Sequence, residues 1–182
     1  NHFAQIYLSL IYLFEKPYIN INKGLKLVNF LANKNYSVSQ YILGEIYLKG
    51  DIIKRDINKA IHYLSLSTKS EANLELGLLY YDGQYISKNT SKAIHYLNLA
   101  AKKNNREAQF ILGRIYFFDE YLKDINKSIF YMTLSANQNY HAANHFLGLI
   151  YYEGKYVPKN INEAIRRFKE ASNMDNQLSK NN

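Results

Sequence analysis

Apolar and polar positions along this chain follow a helical period, and the pattern repeats. Ala72, Leu76 and Tyr80 stand at i, i+4 and i+8, so they share one face of a 3.6-residue helix. The same stripe recurs as Ser39, Leu43, Tyr47, as Ala108, Leu112, Tyr116, and as Ala143, Leu147, Tyr151. Each stripe carries a Leu-Gly-x-x-Tyr block, at Leu43-Gly44, Leu76-Gly77, Leu112-Gly113 and Leu147-Gly148, and a worn copy, Leu8-Ser9 with Tyr12, precedes them. Successive copies lie 35, 33, 36 and 35 residues apart. Fifteen or sixteen residues after each comes a second block: Lys23-Gly24-Leu25, Lys59-Ala60-Ile61, Lys92-Ala93-Ile94, Lys127-Ser128-Ile129 and Glu163-Ala164-Ile165. Two sub-motifs in step at one period predict stacked repeats and not one closed core.

Punctuation between the blocks predicts helix pairs. A mid-helix glycine costs ~1 kcal/mol relative to alanine, so its recurrence implies close approach of a neighbouring helix. The block therefore reads as a packing seam between helix pairs. First helices end where glycine can take the left-handed conformation, at Gly50, Gly83 and Gly154. Asn20, Asp56, Asn89, Asp124 and Asn160 then stand three residues before the second block, where an Asx side chain caps a new helix. The second helix is amphipathic, as in Ala93, Ile94, Leu97 and Ala100-Ala101, and closes near Asn35, Asn104 or Asn139 in place of a turn glycine. Glu15 and Asp119 replace the turn glycine in connections one residue shorter, which predicts a second, shared turn geometry. A three-residue contraction around Ser67–Ala72 is expected to tighten the second-to-third junction. The expected fold is all-α, a right-handed solenoid of ten helices in five antiparallel pairs, with a concave and a convex face. Its repeats fall at 3–36, 37–70, 71–105, 106–140 and 141–175, with a polar tail at 176–182.

The combined pattern resembles the Sel-1-like repeat, a branch of the tetratricopeptide-like helical repeats. Residues 72–104 carry it most fully, through Ala72, Leu76, Gly77, Tyr80, Gly83, Lys92, Ala93, Tyr96, Ala100 and Ala101. It extends over 4–175, with departures at Ser9 and Gly24 and at the missing turn glycines of the first and fourth copies. The resemblance implies an adaptor or scaffold that binds a protein or peptide and performs no catalysis. Such arrays often accompany other domains, kinases among them.

Composition removes most other classes. The 182 residues contain no cysteine and no tryptophan, which excludes disulfides, thiol catalysis and cysteine-based metal sites. Neither Gly-x-Ser-x-Gly nor Ser-x-x-Lys occurs, and no Gly-x-x-x-x-Gly-Lys loop is present to cradle a phosphate. His62 and His95 occupy one repeat position that holds Phe130 and Arg166 elsewhere, so no shared chemical role fits them. His141 and His145 are four apart on a helix but lack a third ligand in sequence; no metal and no cofactor are expected. The net charge of +8 comes from Lys and Arg scattered among Asp and Glu, so nucleic acid is not the expected partner. Most of the 18 tyrosines stand at repeat-core positions. Three Asn-x-Ser/Thr sequons, at Asn35, Asn89 and Asn126, match chance for so asparagine-rich a chain. No apolar run reaches the ~18–20 residues of a membrane span, and no signal peptide is read at the start, which leaves the compartment open with a slight lean to the cytoplasm. The chain begins at Asn and reads as a segment of a longer protein.

In related helical repeats the first helices line the concave groove. Counting from the repeated glycine, positions −3, +1 and +4/+5 lie away from the core stripe. They hold Tyr41, Glu45 and Lys49 in the second repeat, Tyr81 and Asp82 in the third, Arg114 and Phe118 in the fourth, and His145, Tyr152 and Glu153 in the fifth. Aromatic anchors mixed with arginine and acids suit a peptide- or domain-binding groove. The apolar Leu74, Leu78, Phe110 and Leu149 share this face and fit inter-repeat core equally well. Arg167, where Tyr63, Tyr96 and Tyr131 stand in earlier copies, is expected to mark a capping helix. The first helix is apolar nearly all round, which suggests an upstream element covering it, and an array that packs on an upstream domain of the same chain is the alternative function.

Overall fold

The computed structural model describes residues 1–178, with side chains through Ser172. Ten helices make up the described residues, without a strand: α1 (His2–Phe14), α2 (Ile21–Asn33), α3 (Ser37–Lys49), α4 (Ile57–Leu66), α5 (Ser70–Asp82), α6 (Thr90–Lys102), α7 (Arg106–Phe118), α8 (Ile125–Ala136), α9 (His141–Glu153) and α10 (Ile161–Leu178). Of the expected polar tail, 176–178 continue α10, and 179–182 lie outside the described residues. The chain divides into two compact units, Asn1–Tyr96 and Leu97 onward. In the first, α1 packs on α2, α2 on α3, α3 on α4 and α5, and α4 on α5. In the second, α7 packs on α8, α8 on α9 and α9 on α10.

Local chemistry sets the helix ends. Each second helix is capped by the expected Asx side chain: Asn20, Asp56, Asn89, Asp124 and Asn160 accept the backbone N–H of Lys23, Lys59, Lys92, Lys127 and Glu163 at 2.9–3.1 Å. The backbone N–H of the same five residues donates to the carbonyls of Tyr12, Tyr47, Tyr80, Tyr116 and Tyr151. One residue thus ties both helices of a pair together. Gly50, Gly83 and Gly154 take φ of 77°, 69° and 67°, and Asn35, Asn104 and Asn139 close second helices at 61°, 58° and 57°. Glu15 and Asp119 are both extended, with φ/ψ of −96°/115° and −74°/121°, so the two shorter connections do share a geometry. The contraction after Ser67 removes the last turn of α4. A hydroxyl knot stands there instead: Ser67 Oγ donates to the Ser37 carbonyl at 2.9 Å, and Ser37 Oγ accepts the Thr68 N–H at 2.8 Å.

The structure divides the Leu-Gly-x-x-Tyr block by direction and corrects its reading as a single seam between pairs. Leucine faces the preceding pair: Leu43 packs with Val28 and Ala32 of α2, Leu76 with Leu64 of α4, and Leu147 with Met132 and Ala136 of α8. Glycine faces its own second helix. A Cβ on Gly44 would stand 2.7 Å from Leu64 Cγ, on Gly113 2.8 Å from Met132 Cγ, and on Gly148 2.7 Å from the Phe168 ring. The first pair reverses the arrangement, with buried Ser9 in α1 against Gly24 in α2, whose Cβ would meet Leu13 at 2.7 Å and the Ser9 carbonyl at 3.2 Å. The Ser9 hydroxyl is satisfied by the Ile6 carbonyl at 2.6 Å. Tyrosine also turns inward: Tyr47–Tyr63, Tyr80–Tyr96 and Tyr116–Tyr131 stack within 6° of parallel at 5.8–5.9 Å. Lys23, Lys59, Lys92 and Lys127 place their ammonium groups 5.0–5.8 Å from the rings of Tyr12, Tyr47, Tyr80 and Tyr116.

Candidate functional site

Within each unit the first helices share a face, and the clefts between successive first helices lie on it. In the first unit, Leu10 and Phe14 of α1 and Ile42 and Ile46 of α3 line one cleft, with Ile52 from the following loop. Glu45 and Lys49 border it and pair at 2.9 Å, which raises the Lys49 pKa. A second cleft between α3 and α5 is lined by Leu48, Leu78, Leu79 and Tyr85, with Glu75 and Asp82 as its charged members. Arg55 spans this region. Its guanidinium lies 4.5 Å from the Tyr85 ring centroid and donates to the Leu48 and Lys49 carbonyls at 2.8 and 2.9 Å, closing the end of α3. Tyr81 is half-buried beside Lys88, whose Nζ lies 4.8 Å from its ring.

In the second unit, Phe117 and Phe118 of α7 meet Phe146 of α9 edge to face at 5.0 and 5.7 Å, beside a cleft that Leu149, Ile150 and Glu153 complete. Phe118 remains 59% exposed, so it borders the cleft as an open aromatic edge. Tyr152 is exposed with Lys159 5.4 Å from its ring, and Arg114 is exposed over Phe110 at 5.9 Å. Next to the cleft, Tyr156 packs on Phe117 at 5.2 Å between Lys123 and Lys155, at 4.9 and 5.3 Å from its ring. Hydrogen bonding to the two ammonium groups lowers the Tyr156 pKa.

Position −3 belongs elsewhere. Tyr41 is half-buried against Leu64, Ala72 and Leu76, so it is part of the seam towards α5. That burial, then the Glu45 and Glu75 carboxylates, push its hydroxyl above the usual tyrosine range. Phe110 packs likewise against Met132, Ala143 and Leu147, with Tyr140 5.2 Å away. His145 holds the same register and lies against Phe168 of its own pair, 5.6 Å between rings. The structure thus gathers Glu45, Lys49, Asp82, Phe118 and Glu153 on the clefts, with Tyr81, Tyr152 and Arg114 adjoining. It sets Tyr41 on the seam towards α5 and leaves His145 exposed beside Phe168 of its own pair.

Two recurrent features escaped the sequence reading. The residue after the stripe's first member is a buried amide every time: Gln40, Asn73, Gln109 and Asn144. Gln40 and Gln109 donate to the carbonyls of Ala32 and Ala101 at 3.4 and 3.2 Å, so they satisfy the preceding helix end. The residue before the second-helix cap is basic in four repeats, as Arg55, Lys88, Lys123 and Lys159. Arg55 and Lys123 each reach the tyrosine of the next loop, Tyr85 and Tyr156. Both were visible as register coincidences, but their meaning depended on what lay opposite.

Arg167 is likewise corrected. It is only 7% exposed, donating to Glu163 Oε1 at 2.9 Å and to buried Asn144 Oδ1 at 3.1 Å. Since Tyr63, Tyr96 and Tyr131 stack on their own first helices, this position does not report whether another repeat follows. Glu163 replaces lysine and Arg167 replaces tyrosine together, so an ion pair substitutes for a cation–ring stack. Hydrogen bonds from Arg166 and then Arg167 hold the Glu163 carboxyl below the usual range.

His62, His95 and Phe130 present edges to Tyr63, Tyr96 and Tyr131 at 5.0–5.3 Å, so the three middle copies share an aromatic edge where the first and last carry Lys26 and Arg166. Among the described residues no group of three His, Cys, Asp or Glu side chains could hold a metal ion, and no helix is long and apolar enough to cross a membrane.

Comparison with known proteins gives the family context. The Sel1 repeat model matches residues 37–69, 70–105, 106–140 and 141–176. Characterised proteins yield no match by sequence. Among solved structures, a protective antigen present in uropathogenic Escherichia coli strains, displaying an SLR fold, superposes with a TM-score of 0.88 at 19% identity. The superposition covers 96% of this chain but only 38% of the antigen. A Sel1 repeat protein from Oxalobacter formigenes gives 0.84 at 23% identity, over 95% of this chain and 73% of that one. A Sel1 repeat protein from Klebsiella pneumoniae subsp. pneumoniae gives 0.56 at 17% identity, over 98% and 93%. These likenesses establish the fold, a helical-repeat solenoid.

Proposed function

Because the chain belongs to the Sel1 repeat family, whose members generally mediate protein–protein interaction, we propose that it is a scaffold that binds a partner protein or peptide on the face of its first helices. The Sel1 fold is a non-catalytic repeat scaffold, and the reading requires no turnover. One observation carries it: clefts between successive first helices recur with an apolar floor and a charged edge. Leu48, Leu78 and Leu79 with Glu75 and Asp82 make one, and Phe117, Phe118 and Leu149 with Glu153 make another. Apolar side chains of a partner would seat on such floors, and its polar groups would meet the charged edges.

A photo-crosslinking residue placed singly at Leu78, Phe118, Tyr152 or Leu149, and as controls at Phe30, His62, Phe130 or Ile165, tests the assignment. The expected result is one partner, identified by mass spectrometry, that crosslinks from the first set and not from the second. Equal yields from both sets would remove the groove assignment. A second reading, in which the array packs on another domain of a longer chain, is favoured by Phe3 and Tyr7, which stand exposed on α1.

A further inference from the structure

Four of the five first helices bury the same two stripe positions completely: Ser39 and Leu43, Ala72 and Leu76, Ala108 and Leu112, Ala143 and Leu147. In α3, α5 and α9 the cover is the second helix of the preceding pair, through Val28 and Ala32, through Leu64, and through Met132 and Ala136. A third position, three residues on from the leucine, is closed with them, since Ile46, Leu79 and Ile150 are 4%, 7% and 4% exposed. The same register on α1 gives Ala4, Leu8 and Ile11. Ala4 is exposed, Leu8 is 41% exposed and Ile11 38%. The inward side of α1 is otherwise finished, with Ile6, Ser9 and Leu13 buried against the rest of the unit.

We propose that the outward face of α1 is a repeat-stacking seam, and that its occupant is the second helix of a further repeat of this kind joined on the N-terminal side. Three observations fix the chemistry of that occupant. Its equivalents in this chain present Val28, Leu64 or Met132 to the seam, followed four residues later by Ala32 or Ala136 in two of the three. The α1 helix contains no charged residue at all, so the occupant needs no ionic partner for it. Asn1 caps α1 by accepting the Phe3 N–H at 3.0 Å, in the register where Asn105 caps α7 by accepting the Ala108 N–H. A second copy of the chain is the poorer occupant. At the corresponding positions its α10 offers Phe168 and Ser172, flanked by His141 and His145, where the internal seams use an aliphatic or thioether side chain and alanine. The inference does not rest on the groove reading, although Ile46, Leu79 and Ile150 adjoin both the seams and the floors of the clefts.

The test extends the chain by one repeat. A copy of residues 71–105 is placed directly before His2, so that the copied Asn105 takes the place of Asn1. Far-UV circular dichroism and urea unfolding are then recorded for the original and extended chains, each with and without Leu8→Lys plus Ile11→Lys. The expected outcome has three parts. Helicity rises in proportion to length, the extended chain unfolds at higher urea with a larger slope, and its unfolding constant in water falls at least about tenfold. The double substitution changes the original chain little, because both side chains are already exposed, and removes that gain from the extended chain. An added repeat that stays unfolded, or folds without raising the midpoint, overturns the proposal. Equal losses from the double substitution in both backgrounds do so as well. Self-association of the original chain, seen by sedimentation and abolished by Leu8→Lys, would assign the seam to a second copy and likewise overturn it.

Discussion

At Gly44 one added carbon decides between two kinds of neighbour. Its Cβ would meet Leu64 at 2.7 Å and the Leu64 backbone nitrogen at 3.1 Å, and a backbone atom cannot step aside. At Gly113 the same carbon meets only the Met132 side chain, whose Cγ, Cε and sulfur stand 2.8–3.1 Å away and can turn to another rotamer. Gly44→Ala is therefore expected to cost about 1–3 kcal/mol of urea-unfolding stability. Gly113→Ala should cost clearly less, since up to ~1 kcal/mol of helix propensity is recovered. Equal costs would mean that the glycines answer to the helix and not to its neighbour. The buried hydroxyls of Ser39 and Ser128 make no hydrogen bond among the described residues, at positions where other repeats carry Ala72, Ala108 and Ala143, or Ala60, Ala93 and Ala164. Ser39→Ala and Ser128→Ala are expected to raise stability by roughly 0.5–1 kcal/mol each, through lost desolvation and gained propensity. A destabilised variant would show that the hydroxyls have a partner after all. The serines were legible in the sequence as departures from alanine; their isolation was not, because it depends on atoms from other helices.

Helices pair through a short set of devices that repeat in register, and the fifth pair shows which of them can be exchanged. Four pairs lay a lysine over a tyrosine of the first helix, while the last joins Glu163 to Arg166 and Arg167. Arg167→Tyr alone strands Glu163 and buried Asn144 with fewer partners and is expected to cost about 1–3 kcal/mol. Adding Glu163→Lys restores the combination used around Tyr47, Tyr80 and Tyr116, and should recover at least half of that loss in thermal or urea unfolding. If the double variant is no better than the single, the two chemistries are not interchangeable. The pair also sets a pH dependence. The carboxyl of Glu163 is depressed in the folded state by its hydrogen bonds from Arg166 and Arg167, so its contribution is complete above the unfolded carboxylate range and is lost as pH falls through the depressed folded value. Melting temperatures from pH 6 to pH 2.5 should accordingly fall less steeply for the double variant than for the original chain.

In each unit, the first helices carry two sets of positions, which meet at Ile46, Leu79 and Ile150. The clefts between successive first helices face outward with charged edges, which is what the proposed partner would contact. The stripe of leucines and small residues faces the preceding pair, which is what α1 leaves uncovered. Substituting Lys49, Tyr81, Phe118 and Tyr152 together belongs to the crosslinking test as its stability control. Their side chains are exposed or half-buried, so the unfolding midpoint should barely move while partner crosslinking is lost. A large fall in midpoint would place these side chains in the fold and not on a binding surface. Repeat proteins distribute their stability over nearest-neighbour interfaces, which is why a seam can be tested by adding a repeat and a groove cannot.

From the sequence alone came the ten helices, their capping residues, the left-handed Asn and Gly turns and the family, since these follow from hydrogen bonds and periodicities spanning a few residues. Asn20, Asp56, Asn89, Asp124 and Asn160 needed no tertiary knowledge, because a side chain capping its own helix reaches only three residues ahead. Only the tertiary structure separated Leu43 from Gly44, turning one towards α2 and the other towards α4. It also placed Tyr41 on the seam towards α5, left His145 beside Phe168 of its own pair, and buried Arg167 with Asn144, 23 residues away in sequence. Each of those assignments depends on which helix lies a few ångströms across, a long-range fact that no local period encodes.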